Sequence, residues 1–473
     1  MTYKEITRTD RLLRPYQQEA KEAIFTAWDA CDHVLFQMPT GTGKTRLFTS
    51  IISDVKAWSI LSGKATKILI IAHRVELIEQ ISESLDRYKV AHGVIVGGKA
   101  RDLSHAVQVA SIQTITHRTN VCVAESLDAD FVIIDEAHHS MAHSYQKLWQ
   151  LYPEAKKLGV TATPWRMNHL GFTSIYDRLI VSQPISQFIS QHWLAPYTYY
   201  SIGNNSQISH DINAIDEFDI EGDYKVSALE RVVDRHSIRA NLLNSYLKWA
   251  KGKKGIIYSV SRKHSDHICS EFKAAGINIV RIDSQTPREE RRIDVQRFKN
   301  GQIDIIVNVD IFSEGFDCPD IEFIQLARPT KSLVKYLQQV GRGLRPTKGK
   351  TKCVILDNVG SHALFDLPDA DRDWQSEFVG SPVKTQKRTT HHASGDSFSL
   401  APSFEEGDEQ LLLIQDVNSS PSTNVAEDWD EADDALLTTL FVERHCTVDV
   451  IAMVFHKDAS VIERRINQLK LSQ

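Results

Sequence analysis

At 473 residues the chain exceeds what one hydrophobic core usually supports, so two or three domains are expected. Charged residues make up 25% and hydrophobic ones 42%, no apolar run approaches the roughly 18 residues of a membrane span, and six scattered cysteines without a C-x-x-C pair argue against a disulfide framework or a zinc module. The net charge of −6 is unevenly placed: residues 375–473 hold 8 Lys/Arg against 17 Asp/Glu, leaving 47 against 44 in residues 1–374, so the acidic total does not exclude a basic nucleic-acid groove on the body.

The N-terminal stretch MTYKEITRTDRLLRPYQ lacks the apolar core of a signal peptide, which makes a cytoplasmic location the expectation. From there short apolar runs alternate with amphipathic stretches, the pattern of α/β domains on parallel sheets. The first run, HVLFQM, leads into QMPTGTGKT at residues 37–45 and then into the helix-like LFTSIISDV. Gly41 and Gly43 let backbone N–H groups approach phosphate oxygens, and the helix that follows adds the positive end of its dipole. Thr40, Gly41, Thr42 and Gly43 would form the cradle, Lys44 would reach the β- and γ-phosphates, and the Thr45 hydroxyl would ligate Mg²⁺. The strict pattern has glycine where this chain has Met38, and a glycine turn before a helix is the bland alternative.

Further strands are expected at KILIIAH, VQVAS, FVIID and KLGVTAT. FVIIDEAHH, residues 131–139, delivers Asp135 and Glu136 to the end of a buried strand, where parallel sheets bind ligands. Asp135 suits Mg²⁺ and Glu136 suits polarising the attacking water, dividing metal binding and base work between neighbouring carboxylates. An acidic pair ending a strand is often only a turn; downstream of a P-loop it points to nucleotide hydrolysis. Residues 201–225 are polar and weakly patterned and read as a loop or insertion, after which a second set of strands follows at KGIIYS, NIVRID, DIIVNV, IEFIQLA and KCVILD.

After about residue 375 the pattern is lost, and a stretch rich in Ser, Thr, Gly and charge reads as a flexible linker whose HH pair is solvated rather than metal-bound. Apolar spacing returns in three short helices: Leu436, Leu437, Leu440 and Phe441 suit the first, Val450, Ile451, Val454 and Phe455 the second, and Ile462, Ile466 and Leu469 the third. Trp429 would seal their small core, with Arg464, Arg465 and Gln468 facing outward. This resembles a helix-turn-helix unit whose third helix enters a major groove; a helical cap docking on the rest of the chain or on a protein partner is the alternative.

DEAH at 135–138, TATP at 161–164 and PTGTGKT together resemble the first lobe of superfamily 2 helicases and translocases. The resemblance implies that His138, Thr161 and Thr163 couple hydrolysis to lobe movement. LRPYQ, residues 13–17, is similar to the adenine-reading motif, which implies nucleotide contacts from Arg14 and base contact from Gln17. IAHRVELIEQ and SIQTI lie where such enzymes touch the nucleic-acid backbone, implicating His73, Arg74, Gln113 and Thr114. In the second half YLQQVGRGLRP, residues 336–346, reproduces QxxGRxxR with Gln338, Gly341, Arg342 and Arg345; a guanidinium presented across the cleft stabilises charge on the departing γ-phosphate. VNVDIFSEGFDCP resembles motif V, giving Gly315 and Asp317 to the nucleotide, and IIYSVSRKHSDHI offers Ser259, Ser261 and Arg262 to nucleic-acid phosphates. TPREERRIDVQRFKNG falls where the family has a helix on the nucleic-acid side.

The expected architecture is α/β, with two tandem RecA-like lobes over residues 1–192 and 193–374, a linker over 375–427, and a helix-turn-helix-like domain over 428–473. ATP and Mg²⁺ are the expected cofactors, and DNA, single-stranded or branched, is the expected partner. Within the superfamily the motifs most resemble bacterial RadD-type repair helicases and restriction-enzyme motors, although the RadD-type cysteine cluster and a nuclease motif are both missing. The implied function is an ATP-dependent DNA helicase or translocase. The competing reading is a DNA-sensing ATPase subunit that gates a partner in a defence or restriction assembly.

Overall fold

A computed structural model describes residues 6–97, 102–116, 127–203, 205–310, 316, 318–380 and 411–417, together with 434, 437–443, 447–448, 451, 462, 465–466 and 469. Residues 1–419 form one unit and residues 420–473 another.

The first sheet contains β1 (His33–Gln37), β2 (Ile68–Ala72), β3 (Gly93–Ile95), β4 (Val107–Ser111), β5 (Phe131–Asp135), β6 (Lys156–Thr161) and β7 (Arg178–Val181). Its order is β3-β4-β2-β5-β6-β1-β7, with every pairing parallel. Strands β2, β4 and β5 are buried at every position, which is why they read as unbroken apolar runs rather than alternating ones. The order sets β5, β6 and β1 side by side, so the acidic pair, TATP and the P-loop emerge from three adjacent strand ends.

The second sheet holds β8 (Tyr197–Ser201), β9 (Gly255–Tyr258), β10 (Ile279–Ile282), β11 (Ile305–Asn308), β12 (Phe323–Leu326), β13 (Cys353–Asp357) and β14 (Leu412–Asp416) in the order β10-β11-β9-β12-β13-β8-β14. All pairings are parallel except β14 on β8, which is antiparallel. These are the two parallel-sheet lobes the sequence pattern implies. The ten strands expected from apolar runs all form; β3, β7, β8 and β14 are additions.

Two expectations are corrected. The stretch 201–225 is not simply a loop: Gln207–Asn213 is helical, capped by the Ser206 hydroxyl accepting from the Ser209 N–H, with Ile208 and Ile212 buried one turn apart. Nor is all of 375–427 a linker, because Leu412–Asp416 is the edge strand β14, held by Asp416 to the Thr198 hydroxyl (2.6 Å) and Lys352 (2.9 Å). A helix at Trp374–Val379 also returns to the first lobe, where Phe378 is buried among Phe172 and Tyr176 and its carbonyl accepts from the Phe172 N–H at 2.8 Å. Between them, residues 381–410, including the HH pair, lie outside the described residues.

In the C-terminal unit Leu437, Ile451, Ile462 and Ile466 form a core with Phe441, Val448 and Leu469 against it, so the apolar spacing of all three expected segments converges on one small cluster. Trp429, Arg464 and Gln468 lie outside the described residues.

Candidate functional site

The P-loop turns through two left-handed glycines, Gly41 at φ +88° and Gly43 at φ +93°, and the helix Lys44–Ser62 starts directly behind them. Met38, in place of the usual glycine, is fully buried at the end of β1, and its carbonyl accepts from Lys44 Nζ at 3.2 Å. Thr42 closes the turn by donating from Oγ1 to the Pro39 carbonyl at 2.7 Å.

LRPYQ supports this loop from beneath. Gln17 is 1% exposed and donates from Nε2 to the carbonyls of Thr42 (2.9 Å) and Gly43 (3.2 Å), while its Oε1 accepts from the Arg14 N–H (2.9 Å). Both amide protons are thus engaged by the protein, and the bond from the Arg14 N–H uses one of the two acceptor positions of Oε1. Tyr16 donates to the same Thr42 carbonyl at 2.7 Å, and Arg14 donates to the Tyr16 hydroxyl at 3.1 Å with its guanidinium 4.6 Å from the Trp193 ring. Tyr16 and Trp193 were not singled out by sequence reasoning. Tyr16 lies inside the LRPYQ motif, whereas Trp193 carried no local signal.

Asp135 and Glu136 are both nearly buried, and Glu136 holds a left-handed backbone at φ +50° with its N–H on Asp135 Oδ1 at 3.0 Å. A left-handed glutamate is uncommon, and backbone strain of this sort is found at functional sites. His138 Nδ1 lies 3.1 Å from Thr161 Oγ1 and 3.4 Å from Glu136 Oε2, and Thr161 Oγ1 accepts the Thr163 N–H at 3.1 Å. TATP and DEAH are therefore one hydrogen-bonded unit, as the adjacency of β5 and β6 requires.

From the second lobe, the helix Leu333–Gly343 carries Gly341 and Arg342 to the P-loop, with Arg345 just beyond its end, while Gln338 lines a neighbouring cavity with His138 and His139. A Cβ on Gly341 would lie 2.8 Å from Thr40 Cβ, and one on Gly41 would lie 3.0 Å from Arg345 Cγ, so the two lobes meet across backbone that only glycine permits. The guanidiniums of Arg342 and Arg345 both donate to the Phe316 carbonyl, at 3.1 and 3.2 Å. Burial pushes the Lys44 ammonium below its ordinary range; the Glu136 and Asp135 carboxylates oppose that shift and Arg342 and Arg345 add to it. Five charges from both lobes thus converge on one cleft. Gly315 and Asp317 lie outside the described residues.

The expected nucleic-acid contacts divide. Arg74 donates across the lobes to the Asp310 carbonyl at 3.2 Å, the His73 ring packs against His139 at 4.5 Å, and exposed Gln113 donates to the His73 carbonyl at 3.0 Å. Arg262 is exposed and paired with Asp283 at 3.0 Å. Ser259 is corrected: it is 1% exposed, bonded to Ser265 Oγ and the Asn308 carbonyl, and out of reach of a phosphate. Thr114 is likewise buried. Ser261 is engaged as the N-cap of Arg262–Ala274 and as a donor to Glu230. In the C-terminal unit Arg465 does not face outward freely: its Nε and Nη2 donate to the two oxygens of Asp434 at 2.8 and 2.6 Å.

Two RecA-like sheets that close a P-loop, a DEAH strand end and a pair of arginines into one seam define an ATP-driven motor with two lobes. The chain belongs to the superfamily 2 helicases and translocases: the family described as "Type III restriction enzyme, res subunit" matches residues 11–166 and "Helicase conserved C-terminal domain" matches residues 238–347. A Lactococcus phage protein, named only as a 51.5 kDa protein, is 36% identical over 346 residues, 73% of this chain and 70% of its own length. The "DNA 3'-5' translocase XPB2" of Sulfurisphaera tokodaii is 27% identical over 365 residues, 70% of this chain and 78% of its own. Among solved structures, a fragment assigned to an HsdR subunit of a type I restriction enzyme from Vibrio vulnificus YJ016 shares the fold, with TM-score 0.60, 22% identity, and coverage of 80% of this chain and 69% of that one.

Proposed function

We propose that the chain is an ATP-dependent motor that moves along DNA, with ATP held in the seam between the lobes. The observation that carries the reading is the approach of Gly341 to Thr40 and of Gly41 to Arg345, because it sets second-lobe arginines on the P-loop itself. Lys44 and the loop amides would hold the β- and γ-phosphates, Glu136 would orient the attacking water, and Arg342 with Arg345 would meet the charge that develops on the departing phosphate. The Thr45 hydroxyl and the Asp135 carboxylate are hard oxygen donors that fit Mg²⁺, which when bound neutralises charge between the two phosphates. His138, bonded to Thr161, would report the state of Glu136 to the TATP strand end. Gln17 would keep the loop in its phosphate-ready shape and offer Oε1 to the base.

DNA would lie along Arg74, Gln113 and Arg262, gripped by its backbone, so motion should tolerate many sequences and weaken with salt. The 428–473 unit is proposed as a docking appendage for a protein rather than a base reader, since Arg465 is tied to Asp434. The test is the ATPase rate of the full chain with no nucleic acid, single-stranded DNA, duplex, forked DNA and RNA. DNA stimulation that Lys44→Ala abolishes is expected. A rate indifferent to every polynucleotide would overturn the motor reading, and a rate that rises only with a second protein would replace it by the partner-gated ATPase.

A further inference from the structure

A cavity of about 570 Å³ opens between the lobes beside the ATP seam, sharing His138 and Gln338 with it, and its wall carries Arg74, Arg166, Lys335 and the imidazole of His73. Into it projects a hairpin from the second lobe. Phe218 and Tyr224 bridge its arms, and the Asp219 N–H donates to the Asp223 carbonyl at 2.7 Å. The Asp219 carboxylate caps the turn by accepting from the N–H groups of Glu221 (2.9 Å) and Asp223 (3.0 Å). Gly222, at φ +90°, permits the turn and brings it against Met167 of the first lobe, whose Sδ lies 3.0 Å from where a Cβ would stand.

The tip of this braced turn is an isoleucine. Ile220 is 103% exposed, as bare as in an unfolded peptide, on a hairpin anchored by the buried Asp223 and Tyr224. Lys331 Nζ sits 4.2 Å from the Phe218 ring and 5.3 Å from the Tyr224 ring. Asp223, 1% exposed, accepts from the Thr330 hydroxyl (2.9 Å), the Lys331 N–H (2.8 Å) and Lys335 Nζ (2.9 Å). Lys335 lies on the same helix as Gln338 and Arg342, so the hairpin is fastened to the element that carries the arginine of the ATP seam.

A rigid aliphatic tip beside a basic cleft suits a ligand with an anionic backbone and apolar faces. On the cavity wall Asp310 is engaged by Arg328 and Lys335 by Asp223, leaving Arg74 and Arg166 against Glu221. We propose that the hairpin Glu217–Lys225 is a base-contacting wedge: Ile220 enters the base stack of a DNA strand lying in the cleft, and Asp223 fixes the wedge to the Leu333–Gly343 helix. Aliphatic side chains in proteins that bend DNA act in this way, partly unstacking a base step. The inference rests on the reading that DNA occupies this cleft.

The test uses the full chain and a single-stranded oligodeoxynucleotide carrying 2-aminopurine, whose fluorescence rises when its neighbours unstack. Wild-type binding should raise the fluorescence. Ile220→Ser should remove the rise and weaken the apparent Kd about tenfold, and Ile220→Phe should restore both. The melting temperature of Ile220→Ser should match wild type, because the side chain touches nothing in the free protein. Asp223→Ala should lose the rise with Ile220 intact, which marks Asp223 as a positioning residue. An equal rise in wild type and Ile220→Ser would overturn the wedge while leaving the motor in place. No binding or ATPase stimulation by the wild-type chain would overturn the DNA reading and the wedge with it.

Discussion

Gly43→Ala, alone and combined with Gln17→Ala, tests whether Gln17 is the brace of the P-loop. At φ +93° an alanine is strained by about 1 kcal/mol, and its Cβ would lie 2.5 Å from Gln17 Nε2. The amide must move away and release the Thr42 and Gly43 carbonyls, now held at 2.9 and 3.2 Å. At a net of about 1 kcal/mol for each bond, Gly43→Ala should cost about 3 kcal/mol, and Gln17→Ala, which also loses the bond from the Arg14 N–H, about 3 kcal/mol. The two bonds to the loop carbonyls are lost in both variants, so their effects should not add. The double variant should cost about 4 kcal/mol rather than about 6, a coupling of about 2 kcal/mol. Urea denaturation of the four chains measures the cycle, and ATP affinity on the same chains shows whether the loop has lost its phosphate-ready shape. If the two losses simply add, Gln17 does not hold the loop and the proposed support of the nucleotide from below is wrong.

Arg342→Ala should lower kcat by about 10³ to 10⁵ while changing ATP affinity much less; equal losses in both would remove Arg342 from the transition state. His264 is fully buried, and burial, opposed by Asp234, holds its pKa down at about 4 against an ordinary 6.5. The unfolded chain therefore binds a proton that the fold refuses: the stability from this group is complete above about pH 6.5 and lost as pH falls to about 4, by about 3 kcal/mol at most. Denaturation midpoints of wild type and His264→Asn across that window should diverge, and parallel curves would remove His264 from the account. Lys21, fully buried, is satisfied by Asp54 (2.9 Å), the Arg8 carbonyl (2.6 Å) and Ser50 Oγ (3.2 Å). Asp54→Ala should therefore cost about 3–5 kcal/mol by stranding the ammonium, with a loss below about 1 kcal/mol in thermal or chemical unfolding counting against a buried pair.

The candidate ATP site was legible because most of its parts are contiguous motifs at strand ends, and a buried parallel strand writes itself as an unbroken apolar run. FVIID before Asp135 and HVLFQ before the P-loop are such runs. Elements that depend on distant packing left no such mark. β3 has three residues, β7 has a single buried position, and β14 exposes Leu412, Leu413 and Ile414 along an edge, so none shows a periodicity strong enough to read. Phe378 looked like part of a polar tail, yet it is buried in the first lobe's core. Ser259 and Thr114, both buried, show a related limit: motif matching gives the position of a residue along the chain, not the burial of its side chain.

The contacts between the lobes differ in kind on their two sides. The chain crosses between lobes twice, around residues 182–196 and again at 366–374, and both crossings border a cavity of about 240 Å³ with Thr40 and Gly341. Here the lobes are joined covalently and packed glycine against side chain. Across the other cleft they are joined by Arg288–Glu79 (2.8 Å), Arg291–Glu76 (3.4 Å) and the Arg74 bond to Asp310, pairs with exposed partners that contribute at most about 1 kcal/mol each. On the proposed motor reading, a small loosening at the seam would suffice to release these weak contacts at the far side, where the Ile220 hairpin and the basic wall stand.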